Sequence, residues 1–472
     1  MKENLEGKLT EGSVAARLIA FSLPFLMANF LQTLYGMADL FIAGQFNGAD
    51  VITAVSIGSQ IMHMITVIIA GLAMGTTVLT ARAVGAGKER EAGLCAGNSL
   101  LAFLIFSVFA TAILFVFCPQ VVSLMHTPPE AVGETLSYLG ICFLGIPFIS
   151  LYNSVSAVFR GAGDSKRPLY FVAASCLVNI ILDVFFMGPL ALGSRGAALA
   201  TVLSQAFSAF LAAFVLFARG KRGASGETLG GACGGAYVRI LRGDFRMDAK
   251  VLKALLQIGL PVSAQDGFIQ VSFLVITIIA NSRGLSVAAA VGIVEKIICF
   301  LFLVPSSMLS AISALAAQNM GASLHARARH TLYAGMAIAS AFGALFALAF
   351  QFASVPFVSL FTHDAEVVQL GGQYLRSYVF DCFFAAFHFA FSGFFCAYGY
   401  SLLSFVHNTV SILLVRIPGA YLAAKYFPGT LYPMGWAPAI GSFLSSLICL
   451  GFYLLLKRNG KFGGGLERHG GK

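Results

Sequence analysis

Twelve apolar runs follow one another along this chain with only short polar breaks. They lie near 17–43, 52–80, 92–118, 136–159, 169–187, 196–218, 254–280, 288–317, 332–360, 377–397, 403–426 and 435–456. A helix that crosses a bilayer takes roughly 20 predominantly apolar residues. Within lipid every backbone N–H and C=O must be bonded inside the segment or a closed barrel, and runs of this length satisfy that as helices. Of the 472 residues 58% are hydrophobic and 11% charged, too little charge to clothe a soluble surface of that size. The sequence therefore predicts an all-α membrane protein of twelve transmembrane helices. The first run is too long for the apolar region of a signal peptide and carries Asn29, Gln32 and Asp39, so it reads as the first span.

The charges sort by loop. Of the 30 Lys and Arg residues, 24 fall on one side if the spans alternate. Lys2, Lys8 and Arg17 precede the first span, Arg82, Lys88 and Arg90 follow the second, and Arg160, Lys166 and Arg167 follow the fourth. Arg327 and Arg329 follow the eighth, eight more lie between Arg219 and Lys253, and five from Lys457 to Lys472. Loops on the other side carry Asp50, Glu130, Glu134, Asp364 and Glu366. The positive-inside rule places both termini in the cytoplasm of a bacterial inner membrane. The net charge of +10 is thus a topology signal, and no nucleic-acid partner is expected. Nine scattered cysteines show no C-x-x-C or metal spacing and read as small apolar side chains.

The chain also repeats itself. Phe21-Ser-Leu-Pro24 answers Ile258-Gly-Leu-Pro261 at a shift of 237. Ala54-Val-Ser-Ile57 answers Ala290-Val-Gly-Ile293, Gly85-Ala86 answers Gly321-Ala322, and Gly163 and Ser165 answer Gly399 and Ser401, each at 236. The predicted layout is an N-terminal lobe over 1–218, a cytoplasmic linker over 219–250 that closes with a short amphipathic helix from Asp244, a C-terminal lobe over 251–458 and a cytoplasmic tail over 459–472. Six spans separate the repeats, so the two six-helix bundles share one orientation, a recurring transporter design.

An ionisable side chain inside a span costs roughly 2.5–3.5 kcal/mol on insertion scales, so each one calls for a reason. Tyr35 and Asp39 stand four apart in span 1, on one helical face, and Asn179 and Asp183 repeat that spacing in span 5. Asn153 in span 4 and Thr201 in span 6 can point the same way. Around one cavity, desolvation and mutual repulsion favour the neutral form of a carboxyl and make it a proton carrier. The oxygens of Asp39, Asp183 and Asn179 equally suit a sodium ion, and capping or water-facing roles at the span ends are the plainer alternative. Pro24, about four turns before Asp39, removes a helix hydrogen bond and can serve as a hinge. The second half offers Asp266, Glu295, Lys296, Asp381 and Arg416, with His388 as a lone core histidine. Glu295 and Lys296 are adjacent and cannot face each other, so a pairing of Lys296 or Arg416 with a carboxylate on another helix is expected.

At these residues the chain resembles the multidrug and toxic compound extrusion (MATE) family, DinF-type branch. The resemblance is carried by Leu9-Thr10-Glu11-Gly12, Leu23-Pro24, Gln32-Thr33-Leu34-Tyr35, Ala38-Asp39, Gly71-Leu-Ala-Met-Gly75, Phe159-Arg160-Gly161-Ala-Gly163-Asp164, Asn179-Ile-Ile-Leu-Asp183, Gly196-Ala197-Ala198 and Ala317-Gln318-Asn319-Met320-Gly321-Ala322. It implies two six-helix lobes in a V and export of drugs in exchange for protons or sodium. It also implies an N-lobe network at Tyr35, Asp39, Asn153, Asn179, Asp183 and Thr201. Ile269 and Ala385 stand where the NorM-type branch of that family has acidic residues.

The function expected from all this is a proton- or sodium-coupled antiporter exporting lipophilic, cationic drugs or metabolites by alternating access. Its partners are a small-molecule substrate and the lipid bilayer; it is read as a monomer with no cofactor beyond the coupling ion. A flippase for lipid-linked precursors from the same broad superfamily is the alternative. No nucleophile, metal or phosphate-loop constellation suggests an enzyme.

Overall fold

A computed structural model describes residues 9–125, 127–222 and 238–462 of the chain. Lys2 and Lys8, the middle of the linker and most of the tail lie outside the described residues. Among the described residues the secondary structure is entirely helical. Eleven helices are long and apolar enough to cross a membrane, and a bent pair makes the twelfth span.

The chain divides into two compact units. The first takes in Leu23–Gly259, the second Leu9–Ser22 together with Leu260 onward. In the first unit, the lower part of α1 (Val14–Phe46) is followed by α2 (Ala49–Gly85), α3 (Glu89–Val116) and the short α4 (Cys118–Leu124). Then come α5 (Val132–Leu144), α6 (Ile146–Gly161), α7 (Lys166–Met187) and α8 (Gly193–Arg222). Helices α5 and α6 form one span bent by 44° at Gly145, with Pro147 in the first turn of α6. Proline tolerates that position because its missing N–H would have no helical partner there. Helix α6 lies against α2, α3 and α8, and α7 lies against α8.

In the second unit, α9 (Ala249–Asn281), which enters from the first at Leu260, is followed by α10 (Leu285–Gly321) and α11 (His325–Val358). Then come α12 (Ala365–Tyr378), α13 (Phe380–Tyr398), α14 (Ser401–Ser411), a π-helical turn (Ile412–Arg416), α15 (Ile417–Tyr426) and α16 (Tyr432–Arg458). Helix α13 is the counterpart of α6 and lies against α10, α11, α14 and α16. The tenth span is longer than its apolar run, because α12 adds a helix with a polar face (Glu366, Gln369, Gln373, Arg376) ahead of 377–397. The Asp244 region of the linker is a single 3-10 turn, Arg242–Asp244, and not an amphipathic helix; the next helix begins at Ala249.

Lipid gives helices no hydrophobic reason to associate, so close backbone approach at small residues holds such bundles together. A Cβ on Gly75 of α2 would fall 2.4 Å from the Leu255 carbonyl oxygen, and one on Gly259 of α9 would fall 2.4 Å from that of Leu72. Gly393 of α13 meets the Leu309 carbonyl at 2.5 Å in the same way. Helix ends and loops are tied by polar contacts. Buried Asp244 pairs with Arg90, while Gly93 and Gly97 leave room on α3 for the backbone of Arg239 and Asp244. In the second unit Arg327 donates to the carbonyls of Glu11 (2.8 Å) and Gly12 (2.7 Å).

Candidate functional site

The first unit gathers five of the six polar residues that the sequence singles out. Asp39 on α1 and Asp183 on α7 lie within interaction range of each other, and Asn179 and Thr201 act on Asp39 as well. Tyr35, one turn before Asp39, is also within its electrostatic reach. Helical spacing explains the gathering: residues four apart share a face, so α1 presents Tyr35 with Asp39 and α7 presents Asn179 with Asp183. Asn153 lies apart from the two acids in its bonding, since its amide donates to the Ile149 carbonyl of its own helix at 2.9 Å.

What distinguishes this group is how little satisfies it. Asp183 is 0% exposed and Asp39 2% exposed. Asp39 Oδ1, both oxygens of Asp183, both amide atoms of Asn179 and Thr201 Oγ1 are buried without a hydrogen bond. The side chains face one another within interaction range. Buried polar atoms in folded proteins are overwhelmingly bonded, so six unsatisfied atoms in one place set this group apart. Among the described residues no basic group acts on either carboxyl. Oxygen donors of this hardness and number suit a proton or a small monovalent cation.

Two residues near the group escaped the sequence reading. Gln205 of α8 donates to the Tyr35 hydroxyl at 3.5 Å. Tyr138 of α5, buried at 2% exposure, lies within reach of Asp39 and shares a 3.2 Å hydrogen bond with Ser59. Its ring rests on Gly58, where a Cβ would sit 2.2 Å from it. A lone tyrosine in an apolar run looks like filler. The internal repeat offered the signal: at a shift of 236, Tyr138 corresponds to Tyr374.

Pro24 lies inside α1, which runs unbroken from Val14 to Phe46, one residue past the point where the chain passes from one unit to the other. Pro261 holds the equivalent place in α9, one residue past Leu260.

The second unit treats its charges differently. Arg416, at the end of the π-helical turn, donates to the Tyr378 hydroxyl at 2.9 Å and to Asp381 Oδ2 at 3.4 Å, and its guanidinium lies 5.0 Å from the centre of the Phe273 ring. Glu295 accepts from Thr277 at 3.1 Å and is within electrostatic reach of Arg416. Lys296 is exposed, and Asp266 stands apart, half-buried on α9. His388 faces His407 with ring centres 5.5 Å apart, and His407 is bonded to Ser392 (2.9 Å) and Ser445 (3.2 Å).

Known proteins share this layout. The MatE family model matches twice, over residues 24–185 and 261–422, so the second match begins 237 residues after the first. The chain belongs to the MatE family. This MATE chain is 26% identical, over 78% of each chain, to the Bacillus subtilis protein named "Probable multidrug resistance protein YoeA". It is 24% identical to the Thermotoga maritima protein named "Probable multidrug resistance protein NorM", over 88% of this chain and 86% of that one. A solved multidrug resistance MATE family transporter in its outward-facing conformation superposes with a TM-score of 0.85 at 24% identity, covering 98% of this chain and 100% of that one. That likeness establishes the fold of a MATE transporter.

Proposed function

We propose that this protein is a proton- or sodium-coupled antiporter that exports lipophilic cations by alternating access, with Asp39 and Asp183 as the ion-exchanging pair. The observation that carries the reading is the buried carboxylate pair, with no base beside it among the described residues and with three polar atoms of its neighbours Asn179 and Thr201 buried and unbonded. Two facing carboxylates out of water favour holding one positive charge between them, as a proton or as a sodium ion on the oxygens of Asp39, Asp183 and Asn179. Discharge of that ion leaves an uncompensated acidic site suited to a cationic substrate. The multidrug resistance named for the relatives agrees with such a substrate class. Pro24, near the crossing from one unit to the other, is the hinge by which α1 would report the charge state of Asp39.

The test is reconstitution into vesicles, with a pH gradient or a sodium gradient imposed separately and extrusion of a fluorescent lipophilic cation followed. One gradient drives extrusion by the parent, and neither drives it in Asp39→Asn or Asp183→Asn at equal protein content. Extrusion by both variants at the parental rate would end this reading.

A further inference from the structure

The span made by α12 and α13 shows little of itself to its surroundings. From Tyr374 to Ala397 only Arg376, Phe380, Phe383, Phe384 and Phe387 are not buried. Their spacing puts them on one stripe of the helix. Four phenylalanines suit a stripe that faces hydrocarbon. The arginine at its outer end, where the apolar run begins, is a charge that needs an anion beside it.

The protein does not supply that anion. Among the described residues the Arg376 guanidinium makes no ion pair and no hydrogen bond, and its Nε is buried. Its backbone is nonetheless held, since the Arg376 carbonyl accepts from Gln351 of α11 at 3.0 Å. The fold fixes where the charge stands and leaves it uncompensated.

Helix α16 walls the other side of the stripe. Gln373 Oε1 accepts from the Thr430 hydroxyl at 2.7 Å and from the Leu431 amide at 3.3 Å, and Gly435 lies against Tyr374 and Ser377. The two helices therefore run side by side from their outer ends inward. Trp436 stacks on Phe380, with ring centres 4.9 Å and planes 13° apart, and Phe443 meets Phe384 edge-on at 5.2 Å. Tyr432 is one turn outside Trp436 as Arg376 is one turn outside Phe380, which brings the phenol and the guanidinium to one level. Tyrosine and tryptophan settle where hydrocarbon meets headgroups, so that level is the membrane interface. On the other flank Leu348 and Phe352 of α11 are exposed, and the groove opens onto lipid.

We propose that the groove between α13 and α16 binds one phospholipid, with its phosphate on the Arg376 guanidinium and an acyl chain along Phe380, Phe384 and Phe443. The lipid belongs to the leaflet at the Asp364 end of the molecule. A phosphodiester offers two oxygens to the planar fork of arginine, which binds such a pair better than a lysine ammonium can. The arginine stem stays in hydrocarbon while its head reaches the interface. The first unit has no equivalent: at a shift of 236, Arg376 corresponds to Gly140 and Trp436 to Ala200.

Trp436 is the single tryptophan of the chain, so its fluorescence reports on this groove alone. Purified full-length protein in dodecylmaltoside is titrated with phosphatidylglycerol brominated on its acyl chains, which quenches indole on contact. Quenching should saturate. Loss of the charge-assisted contact in Arg376→Ala should raise the half-saturating concentration about tenfold, with a smaller rise in Arg376→Lys. Circular dichroism and gel filtration check that the variants are folded, and Arg376→Gln replaces the alanine variant if it is not. Brominated diacylglycerol, which has the same chains and no phosphate, should quench weakly without saturating, and excess inorganic phosphate should not relieve the quenching. An unchanged half-saturation without the arginine, or saturable quenching by the diacylglycerol, would overturn the proposal by taking the phosphate out of the recognition. Relief by inorganic phosphate would overturn it too, by showing a site for the free ion.

Discussion

Asp183→Asn should make the protein more stable while silencing it. Asp183 is fully buried, neither of its oxygens has a hydrogen bond, and the nearest titratable group is another carboxyl, Asp39. Leaving a buried polar group unsatisfied costs about 1–3 kcal/mol, and more when it is charged. An amide at 183 removes one of the two facing charges and supplies an N–H opposite the Asp39 oxygens. The expected net gain is about 1–3 kcal/mol. For a cooperative unit of this size that raises the melting midpoint by roughly 2–10 °C. The assay is the fraction of monodisperse protein left after heating in detergent, paired with gradient-driven efflux from vesicles. A lower midpoint together with retained efflux would refute the argument, because it would mean that the carboxylate has a partner and that its charge is not used.

Close packing supplies three further expectations. A Cβ at Gly435 would fall 2.2 Å from Ser377 Oγ and 2.7 Å from the Tyr374 carbonyl, so Gly435→Ala should wedge α16 off α12 and lower stability by about 1–3 kcal/mol, read as a lower melting midpoint. Gly97→Ala would place a methyl 2.7 Å from the Asp244 carbonyl and should release the 239–248 segment from α3, which limited proteolysis detects as faster cutting there. Arg327→Ala removes the donors to the carbonyls of Leu9, Glu11 and Gly12 and should expose that stretch to protease in the same assay, with little change in the midpoint.

The sequence makes the architecture legible because lipid imposes one rule everywhere: a long uncharged run must be a helix. The fourth and tenth runs depart from it instructively. The fourth holds a bend at Gly145 and Pro147 that hydropathy cannot register, and the tenth extends back over α12, a helix with one polar face that packs on α10, α11 and α16. Four-residue spacing was enough to bring Tyr35 with Asp39 and Asn179 with Asp183. It could not show that Asn153 bonds back to its own helix, since only the rotamer decides that. Nor could it reveal the π-helical turn that aims Arg416, whose one trace in the sequence is Pro418. Tyr138, Tyr374 and His407 are aromatic rings in aromatic-rich runs, and composition hides them.

The assignment of Leu9–Ser22 to the second unit and of the start of α9 to the first has a consequence for how such a molecule could be taken apart. Cutting the chain between 223 and 237 would not yield two finished halves, because each fragment would keep a stretch of helix that completes the other. Co-expressed fragments should accordingly recover one another, while either alone should precipitate.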